Sequence, residues 1–161
     1  MQRVGLFIDV SNLYYCVSKK FDGRKVDYSK YYSSLEDNLP EGASLCELRA
    51  YGTKIEDEAR SFIRRLNSLG FTTKFVRTTR TRSTALNVNI AMDIIRLLDN
   101  LDIIVLGTAN REMIPLVNYL KEQGKEVYIL ACGICNELNN IASKPLEIDE
   151  DTLEVIQEPI K

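Results

Sequence analysis

The sequence predicts an α/β fold: a single doubly wound domain on a mainly parallel five-stranded sheet. Three observations carry that expectation. Short apolar runs alternate with amphipathic segments along the chain, which implies parallel strands covered on both faces. No internal repeat, low-complexity tract or linker divides residues 1–161, although 146–161 read as a polar C-terminal segment. A length of 161 residues also suits one domain with a sizeable core.

The elements follow in order. RVGLFI (3–8) reads as a buried strand that stops on Asp9. VDYSKYYSSLEDNL (26–39) is helical and is ended by Pro40, Glu41 and Gly42. SLCELRAYG (44–52) is the second strand. IEDEARSFIRRLNSLG (55–70) places Ile55, Ala59, Phe62, Ile63 and Leu66 at helical spacing, with Gly70 as the stop. FTTKFV (71–76) is the third strand, and RTTRTRSTA (77–85) a polar loop. LNVNIAMDIIRLLDNL (86–101) is the most apolar helix, followed by the strand DIIVLG (102–107). REMIPLVNYLKEQG (111–124) is a helix that tolerates Pro115 near its first turn. KEVYILA (125–131) is the fifth strand, and ELNNIAS a short helix before the polar tail.

Composition narrows the chemistry. The chain has no histidine, which removes Ser-His-Asp and Cys-His mechanisms and zinc sites with imidazole ligands. Chemistry must come from carboxylates, amides, hydroxyls, lysine and arginine. A net charge of -2 argues against a wholesale nucleic-acid sponge, so any basic surface must be local. The opening MQRVGLFIDV is too short and too soon interrupted for a signal peptide, and no apolar run approaches the ~20 residues of a membrane span. Four cysteines without an export signal are expected to be reduced thiols in the cytoplasm. Cys132 and Cys135 have C-x-x-C spacing, yet no second pair or histidine completes a zinc site, and small apolar residues after a buried strand account for them.

In such sheets ligands bind at the carboxyl ends of strands, where the strand order reverses. The first strand ends on Asp9 with Asn12 close behind; the fourth ends in GTANRE, with Thr108, Asn110 and Glu112. If those strands are neighbours, these polar groups share one crevice. The helix at 86–101 adds Asn87 at its start and Asp93 within IAMDIIRLL, where a buried carboxylate needs a partner, a metal or a raised pKa. Each residue also has a plainer reading. Asp9 with Ser11 and Asn12 equally forms a turn and helix cap, Asn110 caps the helix at 111, and Asp93 pairs with Arg96 or Arg64.

Taken together, these motifs resemble the NYN domain family, a branch of the PIN-like metal-dependent ribonucleases, and within it the bacterial LabA-like (DUF88) members. FIDVSN matches the opening strand ending in Asp and followed by Asn, at Asp9 and Asn12. ALNVNIAMD (85–93) falls on the motif lysine-glycine-valine-aspartate-valine with a second aspartate six residues on. TANREMIPL (108–116) aligns with Ser/Thr-Gly-Asp-Ser-Asp-Phe and its Pro-Leu; GKEVYILA and ASKPLEIDED match the closing pattern. The departures are specific: Asn87 and Asn110 stand where the family has aspartates, Thr84 where it has lysine, and Glu112 at the second aspartate of the fourth motif. The resemblance implies Mg²⁺ or Mn²⁺ held by Asp9, Asp93, Glu112, Asn87 and Asn110, with catalysis of RNA phosphodiester cleavage through Asp9, Asn12, Asp93, Asn110 and Glu112. Mg²⁺ favours anionic oxygens, so two amides in place of carboxylates predict weak metal binding.

KFVRTTRTRSTA, with Lys74, Arg77, Arg80 and Arg82 and no acid, emerges just before the helix carrying Asn87; with Arg111 it suits a phosphate backbone. The expectation is a metal-dependent endoribonuclease-type domain acting on RNA, with a depleted acidic cluster and no membrane association. The alternatives are a catalytically impaired RNA-binding module, or a regulatory protein-interaction domain that dimerises through its helices.

Overall fold

The computed structural model describes residues 1–54, 58–77 and 84–156, with the backbone alone at 54, 58, 59, 77 and 84. Its strands are β1 (Arg3–Asp9), β2 (Ser44–Lys54), β3 (Thr72–Arg77), β4 (Ile103–Gly107), β5 (Glu126–Ala131) and β6 (Lys144–Glu147). Its helices are α1 (Val10–Lys20), α2 (Tyr28–Asn38), α3 (Glu58–Ser68), α4 (Thr84–Leu97), α5 (Ile114–Glu122) and α6 (Asn136–Ile141).

The strands form one sheet in the order β3-β2-β1-β4-β5-β6, and every pairing in it is parallel. The doubly wound expectation holds, but the sheet has six strands among the described residues, not five. The sixth, KPLE, hides in the segment read as polar. It is short, lies on the edge, and alternates half-buried Lys144 and Leu146 with exposed Pro145 and Glu147. An edge strand buries one face at most, so it lacks the apolar run that marks the others.

The centre is what the apolar runs demand. All five residues of IIVLG in β4 are buried, as are the last six of RVGLFID in β1. Each fully buried Ile, Leu or Val adds roughly 1.5–3 kcal/mol relative to exposure. The chain leaves β1 toward β2 and β3, and leaves β4 in the opposite direction toward β5 and β6. The β1–β4 boundary is therefore the topological switch point.

Helices cover both faces. On one, Tyr31 of α2 donates its buried hydroxyl to the Leu130 carbonyl at 2.7 Å. That ring passes so near β4 that a Cβ on Gly107 would lie 2.7 Å from the Tyr31 oxygen, so only glycine fits at the strand's end. On the other face, α4 packs against β1 and β2.

Candidate functional site

Asp9 takes the plainer of its two sequence readings, the helix cap, and does so at the switch point. It caps α1, its Oδ1 accepting the Asn12 amide at 3.0 Å, and it ends the central strand β1 at the switch point. It is only 5% exposed, and no Lys or Arg among the described residues pairs with it. Burial raises its pKa, against the lowering effect of the backbone amides of Asn12 and Ser11. Asn12 points the other way: its Oδ1 accepts the Ala109 amide at 3.1 Å and fastens the start of α1 to the segment after β4. The ends of β1 and β4 thus meet as their neighbouring positions require.

The segment after β4 is built from its own polar side chains. Thr108, 1% exposed, accepts the Asn110 amide through Oγ1 at 3.2 Å. Asn110 accepts the Glu112 amide at 3.0 Å and caps the 3-10 turn Arg111–Met113, the role of its plainer reading. The Glu112 carboxylate faces back to α4, where Asn87 Nδ2 donates to its Oε2 at 2.6 Å. Asn87, Asn110 and Glu112 therefore form one connected group beside Asp9 and Asn12.

Asp93 does not join it. Six residues farther along α4 than Asn87, about one and two-thirds turns, and 7% exposed, it accepts the buried Tyr51 hydroxyl at 2.8 Å. Arg49 Nη1 lies 3.8 Å and Arg96 Nη1 3.6 Å from its oxygens, and Arg49 is also bonded to Glu47 at 3.3 Å. The partner foreseen on its own helix, Arg96, is there; Arg64 is not among its contacts. The partners missed by sequence reading, Arg49 and Tyr51, sit on β2. Their signal was an arginine inside the buried run LRAY, which needs a carboxylate as much as Asp93 needs a cation.

The divalent-metal expectation meets this geometry directly. Among the described residues no group of three or more His, Cys, Asp or Glu side chains is placed to hold a metal ion. Asp93 is engaged by two guanidiniums and a hydroxyl, the Asn110 oxygen serves as a cap, the Asn12 oxygen holds Ala109, and Glu112 accepts from Asn87. As arranged, these donors do not fit a hard divalent cation, which seeks several anionic oxygens at once.

Of the basic residues, Lys74 is exposed on β3 in the same register row as Tyr51 and Asp9, and Arg111 is exposed beside Glu112. Arg80 and Arg82, and the side chain of Arg77, lie outside the described residues. The C-x-x-C segment has a structural use: the Gly133 and Ile134 amides donate to the Glu147 carboxylate at 2.9–3.0 Å, and all four cysteines are free thiols.

Asp9 has a consequence for stability. Because burial raises its folded pKa, the native state holds a proton that the unfolded chain releases, so stability falls as pH rises from the ordinary Asp range through the raised value. Asparagine caps a helix as well as aspartate does and carries no charge. Asp9→Asn is therefore expected to be more stable than the wild type at pH 7 and to lose that advantage toward pH 4. Melting temperatures at both pH values would check this.

Among the described residues no helix is long and apolar enough to cross a membrane. The fold is similar to that of a crystal structure titled as a protein of unknown function from Vibrio parahaemolyticus. The TM-score is 0.81 at 19% identity, over 95% of this chain and 96% of that one. A search of curated proteins found no match. The family model described as "NYN domain" matches residues 3–149, the whole sheet and both halves of the crevice. The chain therefore belongs to the NYN domain family and carries a nuclease-type fold.

Proposed function

We propose that this NYN domain, of the LabA-like (DUF88) branch, binds single-stranded RNA across the crevice between the ends of β1 and β4 without metal-dependent cutting. The observation that carries the reading is the engagement of Asp93 by Tyr51, Arg49 and Arg96. With Asn87 and Asn110 in place of carboxylates, it leaves Asp9 as the buried acid of the crevice. Asp9, with only the exposed Glu112 carboxylate nearby and that one bonded to Asn87, gives Mg²⁺ or Mn²⁺ weak purchase, and little means of lowering the pKa of a bound water. What persists is a cleft with backbone amides and polar side chains at the carboxyl end of the sheet, with exposed Arg111 beside it and exposed Lys74 in the register row of Asp9; Arg77, Arg80 and Arg82 add basic charge in the sequence that leads into α4. These suit phosphates, which position a strand without reading its sequence.

The test incubates labelled single-stranded RNA with the protein in Mn²⁺, in Mg²⁺ and in EDTA, beside Asp9→Asn. Retention is expected in EDTA and to weaken with salt. Neutralising about three phosphates gives a log–log slope near -2. Arg80→Ala with Arg82→Ala should flatten that slope, and cutting should not exceed that of Asp9→Asn. Metal-dependent cutting abolished in Asp9→Asn would overturn the proposal in favour of a metal-dependent endoribonuclease. Absence of RNA retention would leave a regulatory domain that binds protein or itself.

A further inference from the structure

α1 lies along the carboxyl edge of the sheet. It starts at Asp9, its Cys16 carbonyl faces Cys132 Sγ at 3.6 Å just past β5, and Lys20 reaches Glu147 at the end of β6 at 3.8 Å. Val10, Leu13 and Val17 are its buried side. Its outer side carries two neighbouring aromatics, Tyr14 and Tyr15, at 59% and 64% exposure. Single exposed aromatics need no explanation, but an adjacent pair beside a crevice does.

The surrounding charge indicates the partner. VSNLYYCVSKK contains no acid, and Lys19 Nζ lies 5.9 Å from the centre of the Tyr15 ring. The other exposed positions of the helix are polar or cationic, unlike the apolar surround of a protein–protein core. Successive helical residues diverge by about 100°, so the two rings cannot stack on each other and each presents a face of its own. They stand about 8 Å along the helix from Asp9, within the span of a dinucleotide held in the crevice.

We propose that Tyr14 and Tyr15 are a stacking platform for two bases of single-stranded RNA, with Lys19 against the intervening phosphate. The proposal rests on the crevice's binding RNA and adds what grips the bases. Stacking tolerates any base, since every base has a π-face, so the platform confers affinity without sequence preference.

The chain has no tryptophan, so Tyr14→Trp or Tyr15→Trp creates a single tryptophan whose emission is separable from that of the tyrosines. The probes are an oligouridylate and an abasic strand of equal length. Oligouridylate is expected to quench either tryptophan saturably, and the abasic strand to leave it unchanged. Tyr14→Ala and Tyr15→Ala should each weaken oligouridylate binding by about tenfold at unchanged salt slope. Lys19→Ala should lower the slope by about 0.7. Both tyrosines are exposed, so these variants are expected to fold, which circular dichroism checks. Salt-sensitive oligouridylate binding by the wild type, with no quenching and no loss in the alanine variants, would overturn the platform while sparing the crevice. No binding of either strand would sink both proposals. A dimer that becomes monomeric in Tyr14→Ala, with RNA binding intact, would make the pair a contact between copies and overturn the platform.

Discussion

Asp93→Ala should lower the unfolding free energy by about 3 kcal/mol and leave RNA retention within about twofold. The Tyr51 hydroxyl is buried and gives its proton to Asp93 at 2.8 Å; without that acceptor it is stranded, at a cost of about 1–3 kcal/mol. Arg49, less than a third exposed, loses one of its two carboxylates and keeps Glu47. Arg96 is two-thirds exposed, so its share is small and Arg96→Ala should cost less than 1 kcal/mol. Tyr51→Phe removes donor and demand together, while Asp93 keeps both guanidiniums; about 1 kcal/mol is expected. A double-mutant cycle on Asp93 and Tyr51 in urea should then show coupling above 0.5 kcal/mol. A metal ligand would behave oppositely: Asp93→Ala would cost metal-dependent cutting and little stability.

That contrast shows where the sequence was readable. Local signals located the central strands, because β1 and β4 are buried on both faces and need unbroken apolar runs. They also picked out the polar ends of β1 and β4, because Asp9 closes β1 and caps α1, and Asn110, just past β4, caps the turn Arg111–Met113, roles decided within three residues. They did not locate β6, whose pairing with β5 replaces the apolar run as its reason to be a strand. Asp93 was ambiguous for a related reason: a buried acid announces that it needs a partner but not which. Arg49 and Tyr51 reach it only because β2 pairs with β1 and α4 crosses over both. Even so, the helical period already separated Asn87 from Asp93, which lie on different faces of α4. Asn87 meets Glu112 at the crevice, and Asp93 meets β2 beneath it.

The second large effect should come from adding charge at the two positions where the resemblance places aspartates. Asn87→Asp with Asn110→Asp is expected to bind Mn²⁺ about 100-fold more tightly than the wild type. Neither change threatens the fold by itself. Aspartate caps the turn at 110 as asparagine does, and an acid at 87 sits in the first turn of α4, where the helix dipole favours it. The cost is local: the 2.6 Å bond from Asn87 to Glu112 becomes two facing carboxylates, which repel until a cation lies between them. At ~4 Å and an effective dielectric near 20, each added unit charge attracts a unit positive charge by about 4 kcal/mol, so a 100-fold gain survives the loss of most of that to dehydration. The double variant should therefore melt below the wild type in EDTA and regain stability in Mn²⁺, by about 2.7 kcal/mol at a hundred times its dissociation constant. The wild type should respond little to either. If both proteins were stabilised alike by Mn²⁺, the cation would be held without residues 87 and 110, and Asp9 with Glu112 would have to be a working site. Cutting of RNA gained only by the double variant would identify those two amides as the step that separates this domain from a nuclease.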